Sequence, residues 1–225
     1  MDKNSKQELT ELQPSYFEQY GSVASQSPMT GVMLKFSKGD WLLGPDEESI
    51  DNGAKFTAVM EELTVGWIKW VDGRPEQQIM GKVSEGYQPP RRKELGDDDE
   101  SLWDVDDDNK PRDPWQFSNH LVLRTVGTDG SDEKDLFTFA TSSRGGINAI
   151  GELCKAYGKM MRQKPDEYPI IELGVDSYNH SNKQYGRIKI PLLELVDWEG
   201  KIPSGKTPTK KIAKPEKSSK PRSRK

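Results

Sequence analysis

From Met29 onward, apolar and polar residues alternate along the chain in short runs. GVMLKFSKGDWLLG (31–44) alternates and then bends at Gly39-Asp40, so it predicts a strand or a bent pair of strands. AKFTAVMEELTVGWIKWVDG (54–73) fits period two better than a helix, although Glu-Glu-Leu interrupts it. Asp72-Gly73 is a hairpin signal, with Gln77 to Val83 as the return strand. NHLVLRTV and DLFTFATSS flank the polar stretch GTDGSDEK and predict a second hairpin. Ile147, Ile150, Leu153, Cys154, Tyr157 and Met161 fall at helical spacing behind Ser143, and Pro165 ends that helix. YPIIELGVDSY and YGRIKIPLLELVDW then read as two more strands.

The order is thus about five strands, one helix and two strands. It predicts a mainly β domain at 29–199 with an OB-like, partly closed barrel. A sandwich carrying one helix is the competing architecture, and the pattern leaves closure open. Residues 84–118 break the rhythm with two prolines, a basic triplet and an acidic run, and read as a long charged insertion. Residues 1–28 read as a disordered lead-in and 200–225 as a disordered basic tail.

Composition narrows the function. Apolar residues make up 32% of the 225 and charged residues 31%, a balance that suits one core with unstructured flanks. No apolar run approaches the roughly 18 residues a bilayer requires, and the first residues lack a signal region, so the expected compartment is the cytoplasm, with no membrane partner. Cys154 is the single cysteine, and His120 and His180 are the two histidines, which excludes an internal disulfide, a multi-cysteine zinc site and a three-histidine metal site. Nucleophile-elbow, Walker and dinucleotide-binding signatures are missing. The expectation is a protein without enzyme activity or cofactor.

Charge is unevenly spread. Residues 201–225 carry ten Lys or Arg and one acid, whereas the first 200 carry 23 bases and 36 acids. Polyanion binding therefore needs a local basic face, the tail, or both.

The candidate chemistry is a set of rings interleaved with cations. Trp67 and Lys69 share one face of a strand, and Ile68 and Trp70 share the other. An outward ring beside a lysine suits single-stranded DNA, because the ring stacks a base while the cation meets its phosphate. Trp67, Trp70 and Tyr87 are the candidate stacking rings, and Lys69, Arg74, Lys82, Arg91, Arg92 and Arg144 the candidate phosphate contacts. Lys210 and Lys211 in the tail would add nonspecific attraction. The plain alternative buries both indoles, one in the core and one under the insertion. Ser143-Arg144-Gly145-Gly146 suits either an anion at a helix start or a tight turn with a serine cap. Asp104, Asp106 and Asp108 alternate as in a calcium loop, but Asn109 and Trp115 stand where glycine and glutamate belong. The same acidic run has two other readings: a magnesium site, or a DNA mimic lying in a basic groove.

LLGPDEE, GWIKW, GYQPPRRKELGDDD, DPWQF, FATSSRGG and PIIELGVDSYNH together resemble a family of uncharacterised phage and prophage proteins over about residues 30–199. The resemblance implies a phage-type replication or recombination setting, single-stranded DNA as ligand and replication or recombination proteins as partners. A homo-oligomer is compatible with it. The competing functions are a phage structural or accessory protein that binds other proteins, and a metal-dependent nuclease.

Overall fold

The computed structural model describes residues 29–106 and 109–201. Within them the chain forms β1 (Val32–Ser37), β2 (Asp40–Leu43), β3 (Glu48–Ile50), β4 (Lys55–Ala58), β5 (Thr64–Val71), β6 (Arg74–Lys82), β7 (Trp115–Thr125) and β8 (Leu136–Thr141), then α1 (Arg144–Met160), β9 (Glu167–Asn179) and β10 (Arg187–Gly200). Among the described residues the protein is mainly β with one helix.

Period-two alternation sets the core. Leu121 and Leu123 of β7 point the same way as Leu34, Trp41, Phe137, Phe139, Ile171, Leu173 and Leu193 from five other strands. Ile150 and Leu153 of α1 close over them. Each such side chain contributes about 1.5–3 kcal/mol on burial. Cys154 belongs to this stripe as a partly buried residue, and its burial pushes the thiol up from its ordinary value.

The strands form one mixed sheet in the order β10-β9-β4-β7-β8-β1-β2-β3, in which β1 and β8 are the parallel pair. β7 is long enough to carry two neighbours on one edge. β4 pairs along Leu123–Thr125, and β5 pairs along Trp115–His120. A 3-10 turn at Met60–Glu62 steps the chain from one segment to the next. The β9–β10 ribbon therefore continues from β4, while β5–β6 runs on as a separate arm.

The expected barrel closure is corrected to an open sheet, since no ladder among the described residues joins β3 to β10. β3 has three residues, and fourteen-residue β10 carries Pro191, which offers no N–H to a neighbour. The two ends approach through side chains instead: the Trp41 indole N–H donates to the Gly174 carbonyl at 3.0 Å.

Three further expectations change. Among the described residues eight strands precede the helix, because the bend at 38–39 and the break at 60–62 each divide a run and β3 carried no apolar alternation. The insertion ends at Pro114, so Trp115–Ser118 start β7. The lead-in 1–28 and all of the tail after Lys201, with Lys210 and Lys211, lie outside the described residues. Among the described residues no helix is long and apolar enough to cross a membrane.

Candidate nucleic-acid interface

The β5–β6 arm turns at Asp72-Gly73, both with positive φ (50° and 71°), as a two-residue hairpin requires. Trp67 and Lys69 do share a face, opposite Phe117 and Trp115 in register, while Ile68 points the other way and is buried. The insertion folds back over that face. The Trp67 ring meets Phe117 edge-on at 5.3 Å, and its N–H donates to the Pro90 carbonyl at 2.8 Å. Tyr87 lies against Gly81, where a Cβ would come within 2.3 Å of the ring, and its hydroxyl donates to the Ile79 carbonyl. The Trp70 backbone N–H donates to the Pro114 carbonyl, while its indole N–H is buried without an acceptor. All three rings are half-buried.

Asp97 organises this region. Its carboxylate accepts the Trp115 indole N–H at 2.9 Å and lies 3.2 Å from the Lys69 ammonium. Its carbonyl accepts the Trp103 indole N–H at 2.7 Å and the Arg92 guanidinium at 3.1 Å. Arg92 is also paired with Asp113 at 2.7 Å, and Lys69 with Glu76 at 3.2 Å. Accordingly the Trp115 N–H, helped by Lys69, holds the Asp97 carboxyl below its ordinary value. Glu76 and then Asp97 raise Lys69, and Asp113 raises Arg92. Lys82 is raised by Glu62, which it meets at 2.8 Å.

The expectation of an indole standing in solvent beside a free cation is therefore corrected. The carboxylates of the insertion occupy the positions phosphates would take at Lys69 and Arg92. The remaining candidates are dispersed. Arg74 is exposed at the arm's hairpin, and Arg91 is exposed with its backbone N–H on Glu94. Arg144 is exposed as the first residue of α1, where Ser143 caps the Gly146 N–H at 3.1 Å, as the plain turn-and-cap reading has it.

A different cationic constellation forms at the far end of the β9–β10 ribbon. Arg187 and Lys189 are two apart on β10 and share a face, paired in register with Asn179 and Ser177. Lys189 lies across the β1–β2 turn. Gly39 there has φ +101°, which favours glycine, and its lack of a Cβ lets the lysine stem lie against it, since a Cβ would sit 2.0 Å from the lysine Cδ and push the stem aside. Lys38, Arg187, Ile188 and Lys189 line a hollow of about 300 Å³ that no carboxylate lines. Among the described residues none of these three cations forms an ion pair, and Arg187 donates to the Ser177 hydroxyl at 2.7 Å. Lys183 is exposed in the ribbon's turn. On the ribbon's opposite face Tyr178 is 49% exposed, across from Ile188.

Sequence reading missed this set. Arg187 and Lys189 carry a local signal, since cations two apart in RIKI must share a face. The approach of Lys38 carries none, because it depends on how the sheet's ends fold toward one another. No known protein family, curated protein or solved structure matches the chain. Among the described residues no three His, Cys, Asp or Glu side chains are gathered so as to hold a metal ion.

Proposed function

We propose that this chain is a noncatalytic binder of single-stranded DNA whose phosphate contacts come from the β1–β2 turn and the end of the β9–β10 ribbon. The observation that carries the reading is the hollow shared by Lys38, Arg187 and Lys189. Three unneutralised cations in one concavity of an otherwise acidic body focus attraction for a polyanion. The Ser177 and Asn179 side chains on the same face add polar groups beside the phosphate path. β10 is an edge strand, so a strand laid on the cations reaches Tyr178 by passing over the ribbon's edge, and one base stacks there. An OB-like relationship for the open sheet, and the phage-type replication or recombination setting that the resemblance implies, belong to the same proposal.

The test is anisotropy of fluorescein-labelled oligo-dT with the full chain. Lys38→Glu with Lys189→Glu weakens binding at least about tenfold and flattens the salt dependence by about 1.4 in log–log slope, at roughly 0.7 per phosphate contact. Lys69→Gln leaves binding within about twofold, since that cation already serves two carboxylates. Loss of binding on Lys69→Gln, with the double variant unaffected, would return the interface to the arm and overturn the proposal.

A further inference from the structure

The outer side of the insertion carries two adjoining hollows with Trp70, Asp104 and Pro114 as shared walls. One, of about 390 Å³, opens between the Asp72–Gly73 turn and Val105. The other, of about 200 Å³, lies between Lys69 and Trp103. Between them they are lined by five carboxylates, Asp72, Asp97, Asp99, Asp104 and Asp113, and by two cations, Lys69 and Arg112. Both cations are already engaged. Lys69 is held by Glu76 and Asp97, and Arg112 lies within hydrogen-bonding reach of the Gln116 side-chain amide. Asp72 and Asp104 form no ion pair among the described residues. The groove is also apolar at its lip: Leu102 is 82% exposed and Val105 58%.

Nothing in the fold accounts for those two aliphatic side chains standing in water on a loop otherwise held by a network of hydrogen bonds. We propose that this groove docks a lysine- or arginine-rich segment of a partner protein, one that carries an aliphatic side chain between its cations. Charge selects the occupant. A nucleic acid is repelled by the carboxylates. The folded body of a second copy is repelled too, because the first 200 residues hold 36 acids against 23 bases. A basic segment instead meets Asp72 and Asp104, passes its cations over the faces of Trp70 and Trp103, and covers Leu102 and Val105. The site is independent of the DNA-binding proposal, since it lies on the arm and uses none of the ribbon's cations.

The experiment uses the full chain and a fluorescein-labelled peptide with two lysine pairs flanking a leucine, in about 0.15 M salt, where exposed charges more than about 8 Å apart are largely screened. Saturable binding is expected, at least about fivefold weaker when serine replaces the peptide's leucine, as loss of one buried aliphatic group predicts. Leu102→Ser, which removes the aliphatic contact without adding charge, weakens it about as much, and its exposure keeps the fold intact. Asp104→Lys weakens it about tenfold through charge reversal. Lys189→Glu leaves it unchanged. Equal binding of the leucine and serine peptides together with an indifferent Leu102→Ser variant would reduce the groove to diffuse charge and overturn the proposal. So would the absence of binding at millimolar peptide. A carbodiimide cross-link from Asp104 to a lysine within 206–225 of the same chain, with the peptide excluded, would assign the groove to the chain's own residues and overturn it as well.

Discussion

At the β5–β6 arm, Lys69, Lys82 and Arg92 each face a carboxylate within 3.2 Å, and the rings around them donate inward. At the end of the β9–β10 ribbon, Lys38, Arg187 and Lys189 share a hollow with none. Both regions mix rings with cations, yet the second gathers three of them in one hollow that no carboxylate lines, whereas the arm's Arg74 and Arg91, unpaired among the described residues, are dispersed. The difference comes from what each sheet segment must cover. The arm extends the core-facing side of β5 and β7 beyond α1, so an insertion has to fold over it, and that insertion supplies acids. The ribbon's end already has its core-facing side closed by the β1–β2 turn, in which Gly39 accepts the lysine stem. Composition therefore does not make a binding face; a cation's availability depends on its second neighbour.

The strongest break in this comparison is at its foundation. Trp41 is fully buried, and its indole N–H ties β2 to β9. Trp41→Ala is expected to cost about 3–5 kcal/mol in urea unfolding, the usual range for a large aromatic lost from a core. Half-buried Trp67 should cost distinctly less on the same change, because the insertion and not the core covers it. If the two losses match, the arm is as much a part of the core as the ribbon, and the contrast fails.

Asp97→Asn sharpens it from the other side. The substitution removes the charge that Lys69 and Trp115 share and frees part of the arm's cationic character. Oligo-dT affinity should rise about threefold, in line with the modest value of a partly exposed charge contact. The same variant should show a lower urea midpoint. Unchanged affinity would mean that the arm stays closed to DNA whatever its charge. In wild type this latch works across the neutral range. A carboxyl depressed below its ordinary 3.8 stabilises the fold above that pH and loses its contribution only as pH falls through the lower folded value.

Much of the fold was legible because it is local. Alternation marked β1, β5, β8, β9 and β10, Asp72-Gly73 marked the hairpin, and the spacing from Ile147 to Tyr157 marked the helix. Closure was not legible, since it depends on whether a three-residue edge can pair with a fourteen-residue one. For the site, parity correctly put Trp67 with Lys69 but said nothing about what lies above them. That information sits in Asp97, 28 residues away from Lys69 along the chain, and in its left-handed backbone (φ 56°). The acidic run read as a metal site or a DNA mimic, yet Asp97 at its start is a structural ligand for two indoles, through carboxylate and carbonyl. The Lys38–Lys189 approach spans most of the chain, and no local pattern encodes it.

Tyr178→Ala measures the ring alone. One stacked base is worth about 1–3 kcal/mol, and a ring that must be reached over a sheet edge belongs at the low end. A loss of about fivefold for oligo-dT, with duplex binding unchanged, is the expected outcome. Equal losses for both would mean that Tyr178 shapes the ribbon and does not stack a base.

The smallest effect should come from His120, at the root of the arm. It sits on β7 opposite Thr64 of β5, with Ala140 on its other side, and is 6% exposed. Its Nδ1 and the Thr64 hydroxyl both lack partners, so burial alone lowers its proton affinity below the ordinary 6.5. The sign follows from linkage. Above about 6.5 neither the folded nor the unfolded chain holds the proton, and stability is flat. As pH falls below that, the unfolded chain takes the proton first, and stability declines until the depressed folded value is reached. The urea midpoint should therefore be level from pH 7.5 to about 6.5 and then drop toward 5.5 in wild type, and drop less in His120→Leu. Because His120 joins β5 to β7 and is remote from the β1–β2 turn in register, acid should loosen the arm before the ribbon. Hydrogen exchange at pH 5.5 would then show faster exchange in β5 than in β9. Uniform exchange in both would mean that arm and ribbon open as one unit, and the division between them would hold for charge but not for stability.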